Sequence, residues 1–280
     1  MQSMLCSRNV GGTPLSARNY RAPIICYTQR RQAVQQPYLA RKMIQSYPLL
    51  AHTSSTRLCS YSAEKEAIFR GFYCNTETAV VSELAQSEGQ RLGIQNDDWF
   101  YGEFSFEAIT SLLQTINPKE GEVFLDLGSG MGKAVLAAAL TQPFSECRGV
   151  EFLPAVHAYA EKAAEMYDAS SKAAQGTLES SSGGESVWPR HCPQVKLEVG
   201  DFRAVDMTTA DVIYCFATCF SRDVVDYLDM SFTVLKPGTR VLMASKALTC
   251  PDLRPWDPPV VQVEMSHTGG TLPVFVYERI

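Results

Sequence analysis

Short apolar runs alternate with helix-forming stretches along much of the chain. Five runs are predicted to be β-strands; the first is mostly apolar and suits a strand buried on both faces of a sheet, whereas the third alternates between apolar and polar residues. They are Val123–Leu127, Cys147–Glu151, Val195–Val199, Val212–Phe216 and Arg240–Ala244. Three stretches between them are typical of helices: Lys133–Leu140, Pro154 to about Asp168, and about Asp223 to Leu235. This alternation predicts parallel strands connected by helices that cover both faces of the sheet.

The C-terminal part of the chain has another pattern. Pro251–Pro259 is rich in proline and predicts a loop. The apolar runs Val260–Met265 and Pro273–Tyr277 then flank Thr268–Thr271, whose two glycines are typical of a hairpin turn. The predicted fold is therefore α/β and Rossmann-like, with an open, mostly parallel, seven-stranded sheet that ends in an antiparallel hairpin.

The segments outside the sheet complete one predicted domain, residues 64–280. Residues 64–100 have mixed helical character, and we expect a helical N-terminal cap over the ligand site or the sheet edge. A further helix begins at Ser105 and stops before Asn117-Pro118. Residues 169–193 are rich in serine and glycine, which predicts a flexible surface insertion.

A glycine-rich turn, Gly128-Ser129-Gly130-Met131-Gly132, follows the first strand. Glycine has no Cβ, so a ligand can approach the backbone, and the start of the next helix offers free N–H groups to an anionic group. The dinucleotide fingerprint G-x-G-x-x-G would place its third glycine at the position of Lys133. The turn therefore favours a nucleoside ligand other than a dinucleotide, or else serves only to pack a helix on the sheet.

Acidic residues stand at the ends of three successive predicted strands. Asp126 would repel a pyrophosphate but accept from an ammonium group, and Glu151 can accept two ribose hydroxyls. Asp201 can accept from an adenine amino group, with the ring of Phe202 beside the base. An ammonium, a carboxylate and a free ribose together describe S-adenosyl-L-methionine, which is the predicted cofactor.

Charge is distributed unevenly along the 280 residues. Residues 1–63 contain eight Arg or Lys and no Asp or Glu, which leaves 17 basic and 30 acidic residues, a net charge of −13, in residues 64–280. An acid-free, Arg-rich leader is the composition of an organellar presequence. We expect residues 1–63 to be a disordered mitochondrial transit peptide, with a plastid one as the alternative; an ordinary basic tail would be compatible with a nuclear protein.

Other classes of site are not indicated. The nine cysteines include no C-x-x-C pair and the four histidines show no ligand spacing, so no metal site is expected. No apolar run approaches the ~18 residues of a membrane-spanning helix.

Several motifs resemble the disruptor-of-telomeric-silencing family, the non-SET histone-lysine N-methyltransferases with a seven-stranded class I methyltransferase fold. The motifs are Tyr101–Phe106 (YGEFSF), Phe124–Gly132, Gly149–Glu151, Gly200–Phe202, Thr218–Ser221, Leu235–Gly238 and Ser266–Gly269. The resemblance covers residues 95–280, and its YGE-x-S-F element is much more specific than the glycine turn.

The resemblance implies roles for individual residues. The loop Tyr101–Glu103 would close over the methionine end of the cofactor, where Asp126 and Gly128 would hold it. Glu151 would bind the ribose, and Asp201 with Phe202 the adenine. The predicted cofactor-binding residues are Tyr101, Gly102, Glu103, Asp126, Gly128, Gly130, Glu151, Asp201 and Phe202.

The acceptor side departs from the family. Phe216 or Ala217 stands where the family commonly has Asn, His267 follows Ser where it has Trp, and Phe104 stands where animal members have Thr. The acceptor pocket is thus predicted to be more apolar, with Phe104, Phe216 and Phe220 desolvating a lysine amine and His267 as a proton acceptor. The predicted catalytic residues are Tyr101, Phe216, Phe220 and His267.

The predicted function is transfer of a methyl group from S-adenosylmethionine to a lysine side chain of a protein. A small-molecule methyltransferase and a cofactor-binding pseudoenzyme are the alternatives. Binding to nucleosomes is not expected, because a domain with a charge of −13 repels phosphates.

Overall fold

The computed structural model describes residues 56–94, 102–178, 187–189, 191–265 and 270–280. Several predictions fall outside these residues: the presequence up to residue 55, residues 179–186 and 190 of the predicted insertion, Tyr101 and His267. No helix in the described ranges is long and apolar enough to cross a membrane.

Seven strands form one sheet in the order β3-β2-β1-β4-β5-β7-β6. The first five strands pair in parallel, whereas β7 pairs antiparallel with both β5 and β6. The strands are β1 Val123–Leu127, β2 Glu146–Glu151, β3 Gln194–Val199, β4 Val212–Phe216, β5 Arg240–Ala244, β6 Leu253–Glu264 and β7 Thr271–Arg279. The sheet confirms the predicted fold class.

Six α-helices lie within the described residues. They are α1 Thr56–Phe72, α2 Thr78–Leu92, α3 Phe106–Gln114, α4 Lys133–Thr141, α5 Pro154–Leu178 and α6 Arg222–Ser231. Buried residues of α1 to α5 pack on one face of the sheet, and those of α6 pack on the other. The start of α3 is as predicted, because the hydroxyl of Ser105 accepts a hydrogen bond from the amide of Ala108 at 3.1 Å.

Three predicted boundaries are wrong. Helix α5 continues to Leu178, so the first part of the predicted 169–193 insertion is helical; its serines are interspersed with Lys, Ala and Gln, which are good helix formers. Most of the proline-rich segment predicted as a loop belongs to β6, an edge strand where proline is tolerated, with a register irregularity between Pro255 and Val260. Helix α6 ends at Ser231 and a 3₁₀ turn, Phe232–Val234, follows it.

The N-terminal cap is helical, as predicted, but its first helix begins earlier. Helix α1 starts at Thr56 and runs without interruption across the predicted boundary between residues 63 and 64. Helix α1 packs against both α4 and α5, the helices that follow the first two strands, and α2 packs against α5. The cap therefore covers the face of the sheet that carries the glycine turn.

Candidate active site

One cavity of about 360 Å³ lies at the carboxyl ends of the parallel strands. Its walls come from the N-terminal helices, the glycine turn and the ends of β1, β2 and β4. Ten of the residues predicted for the site line it: Gly102, Glu103, Asp126, Gly128, Gly130, Glu151, Asp201, Phe202, Phe216 and Phe220. The sequence thus located the cavity, while Tyr101 and His267 lie outside the described residues.

The register of the strands explains why the predicted acids converge. Asp126 stands opposite Gly149 of β2 and Tyr214 of β4, and partners in register place their side chains on the same face. Glu151 lies two residues beyond Gly149, and Phe216 two residues beyond Tyr214, so both share that face. All of these side chains therefore belong to the face covered by α1 to α5.

The glycine turn is folded tightly over the end of β2. The amides of Gly128 and Ser129 both donate to the carbonyl of Val150 at 2.9 Å. Gly128 has φ +82° and Gly132 has φ +75°, a region that other residues rarely adopt. A Cβ on Gly132 would also lie 3.1 Å from Leu197 of β3. The sequence Gly-x-Gly-x-Gly is therefore required by the backbone path of this turn.

Asp126 is the acid at the centre of the cavity. Its side chain is buried, and its Oδ1 atom has no hydrogen-bond partner among the described residues. Burial, followed by the charge of nearby Glu151, raises the pKa of Asp126 well above its usual value. A buried carboxylate oxygen that faces a cavity without a partner matches the need of a bound ammonium group.

Glu151 is held in place by the backbone around it. Its Oε2 accepts from the amide of Gly130 at 2.7 Å, and its Oε1 accepts from the amide of Leu153 at 2.8 Å. Burial raises the pKa of Glu151, although these backbone hydrogen bonds partly oppose the rise. A carboxylate oxygen accepts more than one hydrogen bond, so the oriented group can still receive two hydroxyls.

Asp201 is engaged more fully than predicted. It accepts from the amide of Arg203 at 2.9 Å, and the Arg203 guanidinium donates to both of its oxygens. Partial burial disfavours the charge of Asp201, but these hydrogen bonds and the Arg203 charge outweigh it and lower its pKa. Phe202 stacks on Phe220, with ring centroids 5.6 Å apart and planes inclined by 27°. An adenine amino group would therefore share Asp201 with Arg203.

Glu103 contacts a residue that the sequence analysis did not single out. Its Oε1 forms an ion pair with Nζ of Lys133, the first residue of α4, and accepts from the hydroxyl of Thr78 at 3.3 Å. Lys133 also lies 5.3 Å from the centre of the Tyr73 ring. A lysine immediately after a glycine turn, where a helix offers its N–H groups, is the signal that could have identified this cation.

The aromatic residues predicted to form one wall of the acceptor channel form two separate pairs. Phe216 makes an edge-to-face contact with Phe104, with centroids 5.1 Å apart, whereas Phe220 packs on Phe202 beside the glycine turn. Phe104 also pairs through its backbone with Met265 at the end of β6. The wall near the acceptor therefore depends on Phe104 and Phe216, and Phe220 lies on the side of the predicted adenine site.

The inner end of the cavity has an apolar wall that was not predicted. Phe69 of α1, Phe106 and Ile109 of α3 line it, and all three are nearly inaccessible to solvent. The rings of Phe69 and Phe106 are 4.8 Å apart. No group of His, Cys, Asp or Glu in the described part of the chain is arranged to hold a metal ion.

Comparison with known families identifies the chain. The family model described as "Histone methylation protein DOT1" matches residues 95–254, more than half of the sequence. The chain belongs to the DOT1 family. The match contains β1 to β5 and every predicted cofactor-binding residue, and it confirms the family predicted from the motifs. Helices α1 and α2 precede it.

Two curated DOT1-family relatives are similar over about half of this chain. Both are described as "Histone-lysine N-methyltransferase, H3 lysine-79 specific". The protein of Drosophila melanogaster is 29% identical over 155 residues, which are 54% of this chain and 8% of the relative. That of Gibberella zeae is 30% identical over 151 residues, 52% of this chain and 28% of the relative. The matched region thus spans less than a third of either relative.

Solved methyltransferase structures are more distant. TrmN from Thermus thermophilus is 19% identical with a TM-score of 0.44, over 61% of this chain and 48% of that one. A methyltransferase from Thiobacillus denitrificans, in complex with S-adenosyl-L-homocysteine, is 20% identical with a TM-score of 0.35, over 57% and 53% of the two chains. These likenesses are weak and carry no inference about substrate.

Proposed function

We propose that this DOT1-family protein is an S-adenosylmethionine-dependent methyltransferase that modifies a lysine side chain of a protein. One observation carries the proposal. Asp126, Glu151 and Asp201, from the ends of three adjacent strands, line a single cavity above the glycine turn. That arrangement follows the order of an amino acid, a ribose and a base along one ligand.

The cavity offers a partner for each part of the cofactor. The unpartnered Oδ1 of Asp126 would accept from the ammonium group, and Lys133 would pair with the carboxylate. Glu151 would receive the ribose hydroxyls, and the ring of Phe202 would lie beside the adenine. When bound, the cofactor supplies an activated methyl group on a sulfonium.

The aromatic residues would prepare the acceptor. Lysine reacts only when its amine is neutral, and an apolar wall lowers the pKa of an amine by disfavouring its charged form. Phe104 and Phe216 supply such a wall next to Asp126. The protein would therefore act mainly by positioning the amine and excluding water.

We propose a protein acceptor other than the intact nucleosome. Residues 64–280 carry a net charge of −13, which attracts basic peptides and repels the phosphates of DNA. The two curated relatives are named for lysine 79 of histone H3, so free histone H3 and nucleosomes are the decisive comparison substrates.

In the test, the full chain is incubated with radiolabelled S-adenosylmethionine in three separate reactions. One contains mitochondrial extract, one free histone H3 and one nucleosomes. Label in a protein band that yields methyllysine on hydrolysis supports the proposal. Label only in small molecules indicates a small-molecule enzyme, and binding without transfer indicates a pseudoenzyme. Label in nucleosomes in preference to the other substrates contradicts the choice of acceptor. The Asp126→Asn variant provides the background.

We also propose that the N-terminal segment directs the protein to the mitochondrion. The support is compositional: eight basic and no acidic side chains in residues 1–63. A fluorescent protein fused after residue 63 should colocalise with a mitochondrial marker, and the same fusion with the basic residues replaced by Gln should not. Plastid, cytosolic or nuclear fluorescence of the unaltered fusion would contradict the proposal.

A further inference from the structure

The two N-terminal helices contact several of the elements that surround the cofactor cavity, although they precede the family match. We call α1, α2 and the residues up to Ile94 the N-terminal clamp. Phe69, Leu92 and Ile94 of the clamp line the cavity directly. Three polar contacts, from Tyr73, Thr78 and Glu88, reach the glycine turn, the Glu103 loop and the start of α5 respectively.

Tyr73 forms a hydrogen bond with the glycine turn. Its hydroxyl donates to the carbonyl of Met131 at 3.1 Å in a buried environment. The turn is also attached to β2 through the carbonyl of Val150, which accepts from two of its amides, and through Glu151, which accepts from the Gly130 amide. Tyr73 therefore restrains the glycine turn through Met131, and the Lys133 ammonium lies over its ring.

Glu88 holds the segment that follows the ribose acid. Its Oε2 accepts from the amide of Ala155, in the first turn of α5, at 2.8 Å, and Glu88 itself is buried. A carboxylate at this end of a helix is stabilised both by the free amide and by the helix dipole. Because only three residues separate Glu151 from Ala155, this contact restrains the backbone that orients the Glu151 carboxylate.

We infer that Tyr73 and Glu88 are positioning residues for the cofactor, through the glycine turn and through Glu151. The inference rests on the proposed function, since it assumes a nucleoside ligand in this cavity. Thr78 adds a weaker contact at 3.3 Å to Glu103, which also pairs with Lys133. Residues outside the family match thus set the geometry of residues within it.

The experiment measures S-adenosylhomocysteine affinity by calorimetry and thermal stability without ligand, using the full chain. Tyr73→Phe removes one hydroxyl, and Glu88→Ala removes the acceptor for Ala155, whereas Glu88→Gln keeps an oxygen acceptor. The matched controls are Tyr167→Phe and Asp229→Ala. Tyr167 is another buried tyrosine and donates to the carbonyl of Pro193 at 3.2 Å. Asp229 is another carboxylate that accepts from backbone amides. Neither control residue lines the cavity.

We expect Tyr73→Phe and Glu88→Ala each to weaken binding about fivefold to tenfold, the effect of one buried hydrogen bond. Glu88→Gln should recover most of the Glu88→Ala loss. Both controls should bind within twofold of the wild type, even where they lower the thermal midpoint as much as the clamp variants.

Two results would overturn the inference while leaving the proposed function intact. One is unchanged affinity in Tyr73→Phe and Glu88→Ala despite lower thermal stability, which would make the clamp purely structural. The other is an equal loss of affinity in the control variants, which would indicate general loosening of the fold. If the wild-type protein does not bind S-adenosylhomocysteine, the proposed function fails, and the positioning role fails with it.

Discussion

The two ends of the parallel strands use their charged residues differently. At the amino ends, Arg240 is buried, its Nη1 donates to the carbonyl of Ile116 at 3.1 Å, and its Nη2 forms an ion pair with Glu122 Oε2 at 2.6 Å, without hydrogen-bond geometry. Asp211 accepts from the amide of Val123 at 2.9 Å and pairs with a lysine. At the carboxyl ends, Asp126 has an oxygen with no partner among the described residues.

Along β1, the charged residue that we assign to stability and the one that we assign to ligand binding therefore lie at different ends. Glu122 and Asp126 are four residues apart, at opposite ends of β1. Glu122 pairs with Arg240 of β5 and so links the loop after α3 to the sheet. Asp126 has a carboxylate oxygen without a partner among the described residues, which a positively charged ligand group could engage. The amino-end charges hold the fold, whereas Asp126 at the carboxyl end keeps an oxygen that no described residue engages and that a ligand could use.

The largest predicted effect comes from breaking the ion pair of Arg240 with Glu122 at the amino ends of the strands. Arg240→Met leaves Glu122 without its buried partner and should lower the free energy of unfolding by about 3 kcal/mol. Urea denaturation measures this change, and Arg254→Met, which breaks the exposed pair with Glu278, is the control, with an expected loss below about 1 kcal/mol. A loss of S-adenosylhomocysteine affinity in folded Arg240→Met would contradict the separation of roles.

A smaller effect of opposite sign is predicted at the carboxyl end. Asp126→Asn removes a buried charge with an oxygen that has no partner among the described residues, so it should raise the free energy of unfolding of the ligand-free protein by about 1 kcal/mol. Asp211→Asn, at the other end, should lower it. Denaturation of both variants under the same conditions gives the comparison, and destabilisation by Asp126→Asn would show that this carboxylate is structural.

The smallest effect is a pH dependence. Burial and Glu151 raise the pKa of Asp126 in the folded state, so the folded protein binds a proton more tightly than the unfolded chain. Stability should therefore fall as pH rises from about 4, the unfolded value, through the raised pKa of Asp126, and then level off. Melting curves of the wild type and Asp126→Asn should diverge over that range. Curves that stay parallel would argue against a raised pKa.

The parallel strands and the glycine turn of the site were predictable because short sequence patterns determine them. The short apolar runs fixed the five parallel strands, and the alternation of side chains placed Asp126 and Glu151 on one face. The glycine spacing separated this turn from a dinucleotide site. These features depend on residues close together in the sequence.

Several of the remaining features depend on contacts between distant residues, and others on local structure that the sequence pattern does not reveal. Nothing near Phe69 in the sequence indicates that it packs against Phe106 in the cavity wall, and the ion pair of Glu103 with Lys133 joins a loop to a helix thirty residues later. Arg203 lies next to Asp201, yet its engagement of both carboxylate oxygens follows from a local turn that periodicity does not reveal. Composition also misplaced the end of α5, since serine-containing segments are helical when packing supports them.

The central claim is that the unpartnered carboxylate at the carboxyl end of β1 binds the cofactor. Calorimetric titration of S-adenosylhomocysteine into the full-length wild type, Asp126→Asn and Asp211→Asn tests it most directly. We predict one-to-one binding by the wild type, binding about 100-fold weaker by Asp126→Asn, which loses a charge-assisted hydrogen bond, and binding within twofold of the wild type by Asp211→Asn. No binding by the wild type, or equal binding by Asp126→Asn, would contradict the account.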